Sequence, residues 1–330
     1  MKEKIIFKKG LIDLAQPRLG TKVVYKTDDF FASANRIIDP NPPIFKEGVY
    51  DKHGKWMDGW ESRRKRVSGH DYLILKLGKV GSIERIEIDT SHFNGNQPDA
   101  ISVEGAYLQK AKKIKDIKWQ ALLSKKKVKA NNNHIFNIKN KNSFSHIKLN
   151  IFPDGGVARI RLFGKINQKL NKSKNKTTNL ASLLLGASII ACNNEHFGKA
   201  ENILAPGKAK NMGDGWETRR RRGKGFDWLI LKCVDGYKVN QLEVSTHHFK
   251  GNFPSQCSVQ AAYINKKIND HAIVKQSNKW KTFLGKSKLA ANKTHVFKNL
   301  NNKNGKVNFI KINIYPDGGI SRFKIIGKML

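Results

Sequence analysis

Residues 58–107 and 214–263 are one sequence written twice. The first begins Asp58-Gly59-Trp60-Glu61, the second Asp214-Gly215-Trp216-Glu217, and 24 of the 50 aligned positions are identical without a gap. A 330-residue chain that repeats itself at an offset of 156 is expected to build two copies of one unit rather than one large domain. The match extends both ways with small shifts. Trp119 pairs with Trp280 and His134 with His295, and Asn150–Gly156 (NIFPDGG) pairs with Asn313–Gly319 (NIYPDGG). Upstream, Asp13–Val24 pairs with Asn179–Ile190. The changing offset places insertions in loops, where extra length costs little. Two domains follow, 1–165 and 179–330, joined by a polar, basic linker at 166–178.

Inside each unit the apolar residues alternate. Ile86 and Ile88 are separated by Glu87; Ile147, Leu149 and Ile151 alternate with Lys148 and Asn150; Ile310, Ile312 and Ile314 do the same. Period two in short runs, punctuated by Gly, Pro and Asn, predicts antiparallel strands with one buried face. No stretch sustains a helical period. The expected fold class is all-β, two tandem jelly-roll β-sandwiches. The apolar stretch Leu180–Cys192 is shorter than the about 20 residues that span a bilayer, so it reads as a buried strand with its lead-in. With no apolar signal core in Met1–Leu14, a cytoplasmic protein with no membrane association is expected. Cys192, Cys233 and Cys257 show no paired spacing, which suits a reducing compartment.

The formal charge of +37 raises nucleic acid as a partner, because basic chains gain from counterion release. The charge divides unevenly. Fifty lysines are scattered along the chain, whereas most of the 13 arginines fall in a few repeated clusters. A dispersed lysine surface reads as background composition, and Trp60, Trp119, Trp216 and Trp280 read as core or turn anchors rather than a stacking platform. No specific nucleic-acid partner is therefore expected. The absence of a Walker loop, GxGxxG or GxSxG argues against nucleotide hydrolysis, a Rossmann cofactor and an α/β-hydrolase.

Two constellations can carry chemistry. In the first, Glu61 is followed by Arg63, Arg64 and Arg66, and Glu217 by Arg219, Arg220 and Arg222. Guanidinium forks bind a carboxylate bidentately, and an adjacent Glu can orient water; the structural alternative is an ion-paired turn anchored by tryptophan. The second is the strand end Thr90, His92, Phe93, Gly95, Asn96, copied as Thr246, His248, Phe249, Gly251, Asn252. A histidine there can serve as an acid or base near neutral pH, or hydrogen-bond a loop backbone. Asp154 with Arg159, and Asp317 with Arg322, read as a turn aspartate and a strand arginine. No local HxxxH, HxE or CxxC spacing supports a metal site, so no metal or cofactor is assigned and metal dependence is left open.

Together these motifs resemble the allantoicase family. The resemblance is carried by DGWETRRRR with the following DWLILK, by TxHFxGNxP, by NIYPDGGxxR, by TDDFFASANRII (Thr27–Ile38) and by NMGDGWE (Asn211–Glu217). It covers nearly the whole chain, except the linker and the lysine-rich stretches around 110–127 and 265–279. It implies tandem jelly-roll units of the galactose-binding type and hydrolysis of allantoate to ureidoglycolate and urea, a step in recovering purine nitrogen. On that basis the site residues are expected to be Glu61, His92, Glu217 and His248 as acid/base groups. Arg63, Arg64, Arg66, Arg219, Arg220 and Arg222 would hold the carboxylate, and Asn96 and Asn252 the ureido groups. Tyr72 against Trp228, Ser91 against His247, and Thr27-Asp28 against Asn193-Asn194 leave open whether both units are active. The other class consistent with such a fold is a non-catalytic carbohydrate- or nucleic-acid-binding module, and a homo-oligomer is left open.

Overall fold

A computed structural model of the chain describes residues 5–110, 113–167, 177–301 and 304–330. It is all-β apart from short 3-10 turns and one helix, Asp270–Ser277, and it divides into two compact units.

In the unit Ile12–Asn167 the organising element is the 19-residue strand Asp71–Asp89. Its first half pairs with Lys22–Lys26 on one side and Ser143–Phe152 on the other. Its second half pairs with Asn133–Asn137 and Arg159–Ile166. One leaf continues through Ala100–Ala106 to Gln120–Lys127, and the other ends on Ile12–Asp13. Every pairing is antiparallel. Leu73, Leu75, Ile86 and Ile88 on the long strand are fully buried with Leu149, Ile151 and Ile160 from its neighbours. This is the apolar face that the period-two pattern predicts, closed against its counterpart as a sandwich.

The second unit repeats the plan around Asp227–Ser245. Ser188–Cys192 and Val307–Tyr315 flank its first half, and Thr294–Phe297 and Arg322–Met329 its second. Gln256–Ala262 and Lys281–Lys288 extend one leaf, and Thr177–Asn179 edges the other.

Two features depart from the sequence expectation. Residues 5–11, read there as part of the first domain, fall with the second unit. Ile6 and Phe7 pair with Cys192 and Ala191. The reason lies in the edge strands. Lys22–Lys26 is largely exposed, with lysines at both ends, and such an edge is safe in water. Its counterpart Ser188–Cys192 (SIIAC) is buried at every position and requires cover. Ile5 and Phe7, together with Ile273 of the helix, pack against Ile190 and Ala191. The helix lies in a lysine-rich stretch without helical periodicity and is started by Asn269, whose side chain accepts the Ala272 N–H at 2.8 Å. Most of the linker, 168–176, lies outside the described residues; the flanking residues Ile166 and Thr177–Asn179 belong to strands.

The three cysteines are free and buried. Burial pushes all three thiols up, Cys257 to about 12, so they remain protonated and poorly nucleophilic.

Candidate active site

Three sequence motifs meet at one end of each unit. The first supplies the short strand Trp60–Glu61 or Trp216–Glu217. Both tryptophans are completely buried, and each indole N–H donates to a loop carbonyl at 2.8 Å, Asp28 O or Asn194 O. This satisfies the polar edge of a ring whose burial anchors the strand. Glu61 then pairs with Gly156, and Glu217 with Gly319. On the other side, Glu61 O accepts the N–H groups of Phe31 and Ala32, and Glu217 O those of His196 and Phe197. Each glutamate is therefore held by main chain on both flanks.

The second motif is the Pro-Asp-Gly-Gly turn. The Asp154 carboxylate accepts the Lys65 N–H at 2.7 Å, and Asp317 accepts the Arg221 N–H at 2.9 Å. The turn aspartates thus fix the backbone of the arginine segment. Gly155 and Gly318 have φ near +127°, and a Cβ there would lie 2.7 Å from Pro98 N or 2.6 Å from Asn252 O. Only glycine permits that approach.

The third is the His-Phe-x-Gly-Asn strand end. Phe93 and Phe249 are fully buried beneath Gly156 and Gly319, where a Cβ would sit 2.0 Å from the ring. To bring the phenylalanine inward, His92 and His248 adopt left-handed φ of 69° and 71°, held by N–H donation to Asn131 or Asn292 Oδ1. Beyond this turn the Asn96 amide donates to Glu61 Oε1 at 2.8 Å, and Asn252 donates likewise to Glu217.

The structure therefore unites each glutamate with its asparagine. Arg220, Arg221, Arg222, Phe197, Phe253 and Asp317 join Glu217 and Asn252 around a cleft of about 790 Å³. The histidines point elsewhere: His92 Nε2 lies 3.3 Å from Pro43 O and His248 Nε2 2.9 Å from Ala209 O. Each serves the loop backbone, and His248 is not among the residues lining the cleft. Arg63 and Arg219 are also turned back, Arg63 onto the Asp28 carboxylate and Arg219 onto the His196 ring. Arg64, Arg66, Arg220 and Arg222 remain exposed.

Arg221 and its counterpart Lys65 ion-pair with the buried carboxylates of Asp227 and Asp71. Arg159 and Arg322 sit behind the Asp-Gly-Trp-Glu turn. Arg159 is 2% exposed and bonds Asp58 Oδ2 at 2.8 Å together with the carbonyls of Asp58 and Asn41. Arg322 does the same with Asp214 and Gly207 O. Sequence reasoning left these as strand arginines; their equal spacing from Asp154 and Asp317 in the two repeats was the available signal. Among the described residues no group of three His, Cys, Asp or Glu side chains is gathered to hold a metal ion.

The allantoicase repeat model matches residues 12–167 and 178–330. The chain belongs to the allantoicase family. Its first repeat model match begins at residue 12, where the compact unit also begins. Similar allantoicase-family members include a probable allantoicase of Pseudomonas fluorescens strain Pf0-1, 44% identical over 96% of both chains. Another, of Photobacterium profundum, is 42% identical over 98% of both. The crystal structure of allantoicase from Saccharomyces cerevisiae is 32% identical, with a TM-score of 0.82 over 97% of this chain and 94% of that one.

The two allantoicase repeats differ around the cleft. Where the second has Thr218, Arg221, Phe253 and Ser255, the first has Ser62, Lys65, Gln97 and Asp99. Gln97 turns its amide oxygen back to the Gly95 N–H at 2.8 Å, and Asp99 adds a carboxylate. Burial, partly offset by the Asn96 hydrogen bond, raises the Glu61 carboxyl above its ordinary 4.5. The native state then binds more protons than the unfolded chain as pH rises from 4.5, so stability falls through that window; well below it both states are protonated and the effect vanishes. Glu61→Gln is therefore expected to gain stability over wild type progressively above pH 4.5 and to show no such gain at about pH 3. Thermal melting across pH checks this, and a difference independent of pH would refute it.

Proposed function

We propose that this chain is an allantoicase, hydrolysing allantoate to ureidoglycolate and urea, with the second repeat's cleft as its principal site. The observation that carries the reading is the joining of a main-chain-fixed Glu217–Asn252 pair to an arginine-lined cleft. Allantoate matches that pattern. It is a carboxylate whose central carbon bears two ureido groups. Arg220 and Arg222 hold the carboxylate as charge-assisted forks, and Asn252 and nearby main chain meet ureido groups.

In the reaction one central C–N bond breaks. Water supplies hydroxyl to the carbon and a proton to the departing urea nitrogen. Glu217, steered by Asn252, takes the proton from water and returns one to the leaving nitrogen. Positioning by the arginines makes the attack effectively unimolecular. The first repeat retains the Glu61–Asn96 pair, but Asp99 stands where the second has Ser255, and a carboxylate there opposes an anionic substrate.

The direct test is urea release from allantoate by the purified protein; no release ends the proposal. Arg222→Gln is expected to raise KM about tenfold with kcat little changed, the loss of one charge-assisted contact. An unchanged KM would remove Arg222 from substrate binding.

A further inference from the structure

We propose that Lys8 is a positioning residue for the second repeat's cleft, acting through Glu195 and Glu201 on the loop and turn that shape it. The inference rests on the reading of that cleft as the allantoate site.

Lys8 follows the strand Ile6–Phe7, distant in sequence from the cleft, and is half-buried. Its ammonium lies 2.6 Å from Glu195 Oε1 and 3.3 Å from Glu201 Oε1, with side-chain exposures of 18%, 16% and 29% for the three residues. Its N–H donates to Ile190 O at 2.8 Å, so main chain fixes its place. Burial alone would lower the Lys8 ammonium; Glu201 and Glu195 outweigh that and hold it above the ordinary lysine range. It stays charged, as two half-buried carboxylates beside it require.

Both carboxylates lead to the cleft. The other oxygen of Glu195 accepts the Ala200 N–H at 3.1 Å, closing the loop 195–200. Within that loop His196 meets Arg219, the His196 and Phe197 N–H groups donate to Glu217 O, and Phe197 lines the cleft. Glu201 lies on the 3-10 turn Ala200–Leu204. There the Asn202 amide donates to the carbonyls of Gly213 and Gly215 at 3.1 and 3.0 Å, just ahead of Trp216-Glu217. Lys8 thus ties together the two segments that abut the catalytic strand.

The first repeat solves the same problem locally. Asp29, opposite Glu195, pairs with Lys26 three residues earlier, and that lysine is 44% exposed. An exposed pair adds little rigidity, and this provides a control.

The test uses full-length Lys8→Met, Lys8→Arg and Lys26→Met. Lys8→Met is expected to raise KM for allantoate about tenfold with kcat within about twofold, because small displacements of substrate-positioning groups cost that much. Amide exchange over 193–204 should quicken about tenfold. Lys8→Arg should restore both to within about threefold, and Lys26→Met should move neither. Wild-type KM and exchange in Lys8→Met overturn the proposal. Should wild type release no urea, the allantoate reading fails on its own, and exchange alone decides: faster in Lys8→Met supports the clamp, unchanged refutes it. If Lys8→Met does not fold, Glu195→Gln carries the same expectations and the same refutation.

Discussion

Glu217→Gln should lower kcat for urea release from allantoate by about 10²–10⁴-fold while leaving KM near wild type, the range for losing a positioned acid/base group. The substitution keeps the shape, the main-chain pairing with Gly319 and a partner for Asn252. It removes only the capacity to accept a proton. Glu61→Gln should cost much less, because the first repeat carries Asp99 in place of Ser255. Steady-state kinetics on the two single variants and the double variant decide the matter. Wild-type turnover in Glu217→Gln and in the double variant would dismiss the glutamates as the chemistry. A large loss confined to Glu61→Gln would move the reaction to the first repeat.

Arg159→Met and Arg322→Met are each expected to cost about 3–5 kcal/mol, the penalty for breaking a buried, multiply hydrogen-bonded ion pair from one side. Each guanidinium reaches across more than 100 residues of sequence to hold an aspartate and a loop carbonyl: Asp58 and Asn41 O for one, Asp214 and Gly207 O for the other. Methionine fills similar volume but supplies no donors. Chemical denaturation would show the loss as a lower midpoint with an unchanged slope. The control is Lys165→Met, which breaks the exposed Lys165–Glu84 pair and should cost no more than about 1 kcal/mol. Equal small losses for all three would show that the arginines merely decorate the turn.

The candidate cleft was half legible before folding. The glutamates, the asparagines and the arginine segment announced themselves by being written twice, and the structure gathers Glu217, Asn252, Arg220 and Arg222 around one cleft. His248 was equally well copied, yet its ring serves Ala209 O. Repetition records constraint without its kind, and a left-handed turn that drives Phe249 into the core constrains a sequence as firmly as chemistry does. Arg219 misled for a related reason. Its place in the run of four arginines gave no sign that its guanidinium would meet the His196 ring, a partner 23 residues away that only the folded loop brings within reach.

What the sequence by itself determined is the unit: its doubling, its antiparallel strands, the glycine turns and the family to which it belongs. These follow from local rules, the two-residue period and the φ that glycine alone tolerates, and such rules act within a few residues. Tertiary structure decided the rest. It chose which repeat receives residues 5–11, because a largely apolar edge strand had to be covered. It also set which polar side chains face the cleft, because a buried donor goes to whatever acceptor the folded chain brings within reach. Those partners, Lys8 with Glu195 and Arg322 with Asp214, lie 187 and 108 residues apart, beyond the range of any local pattern.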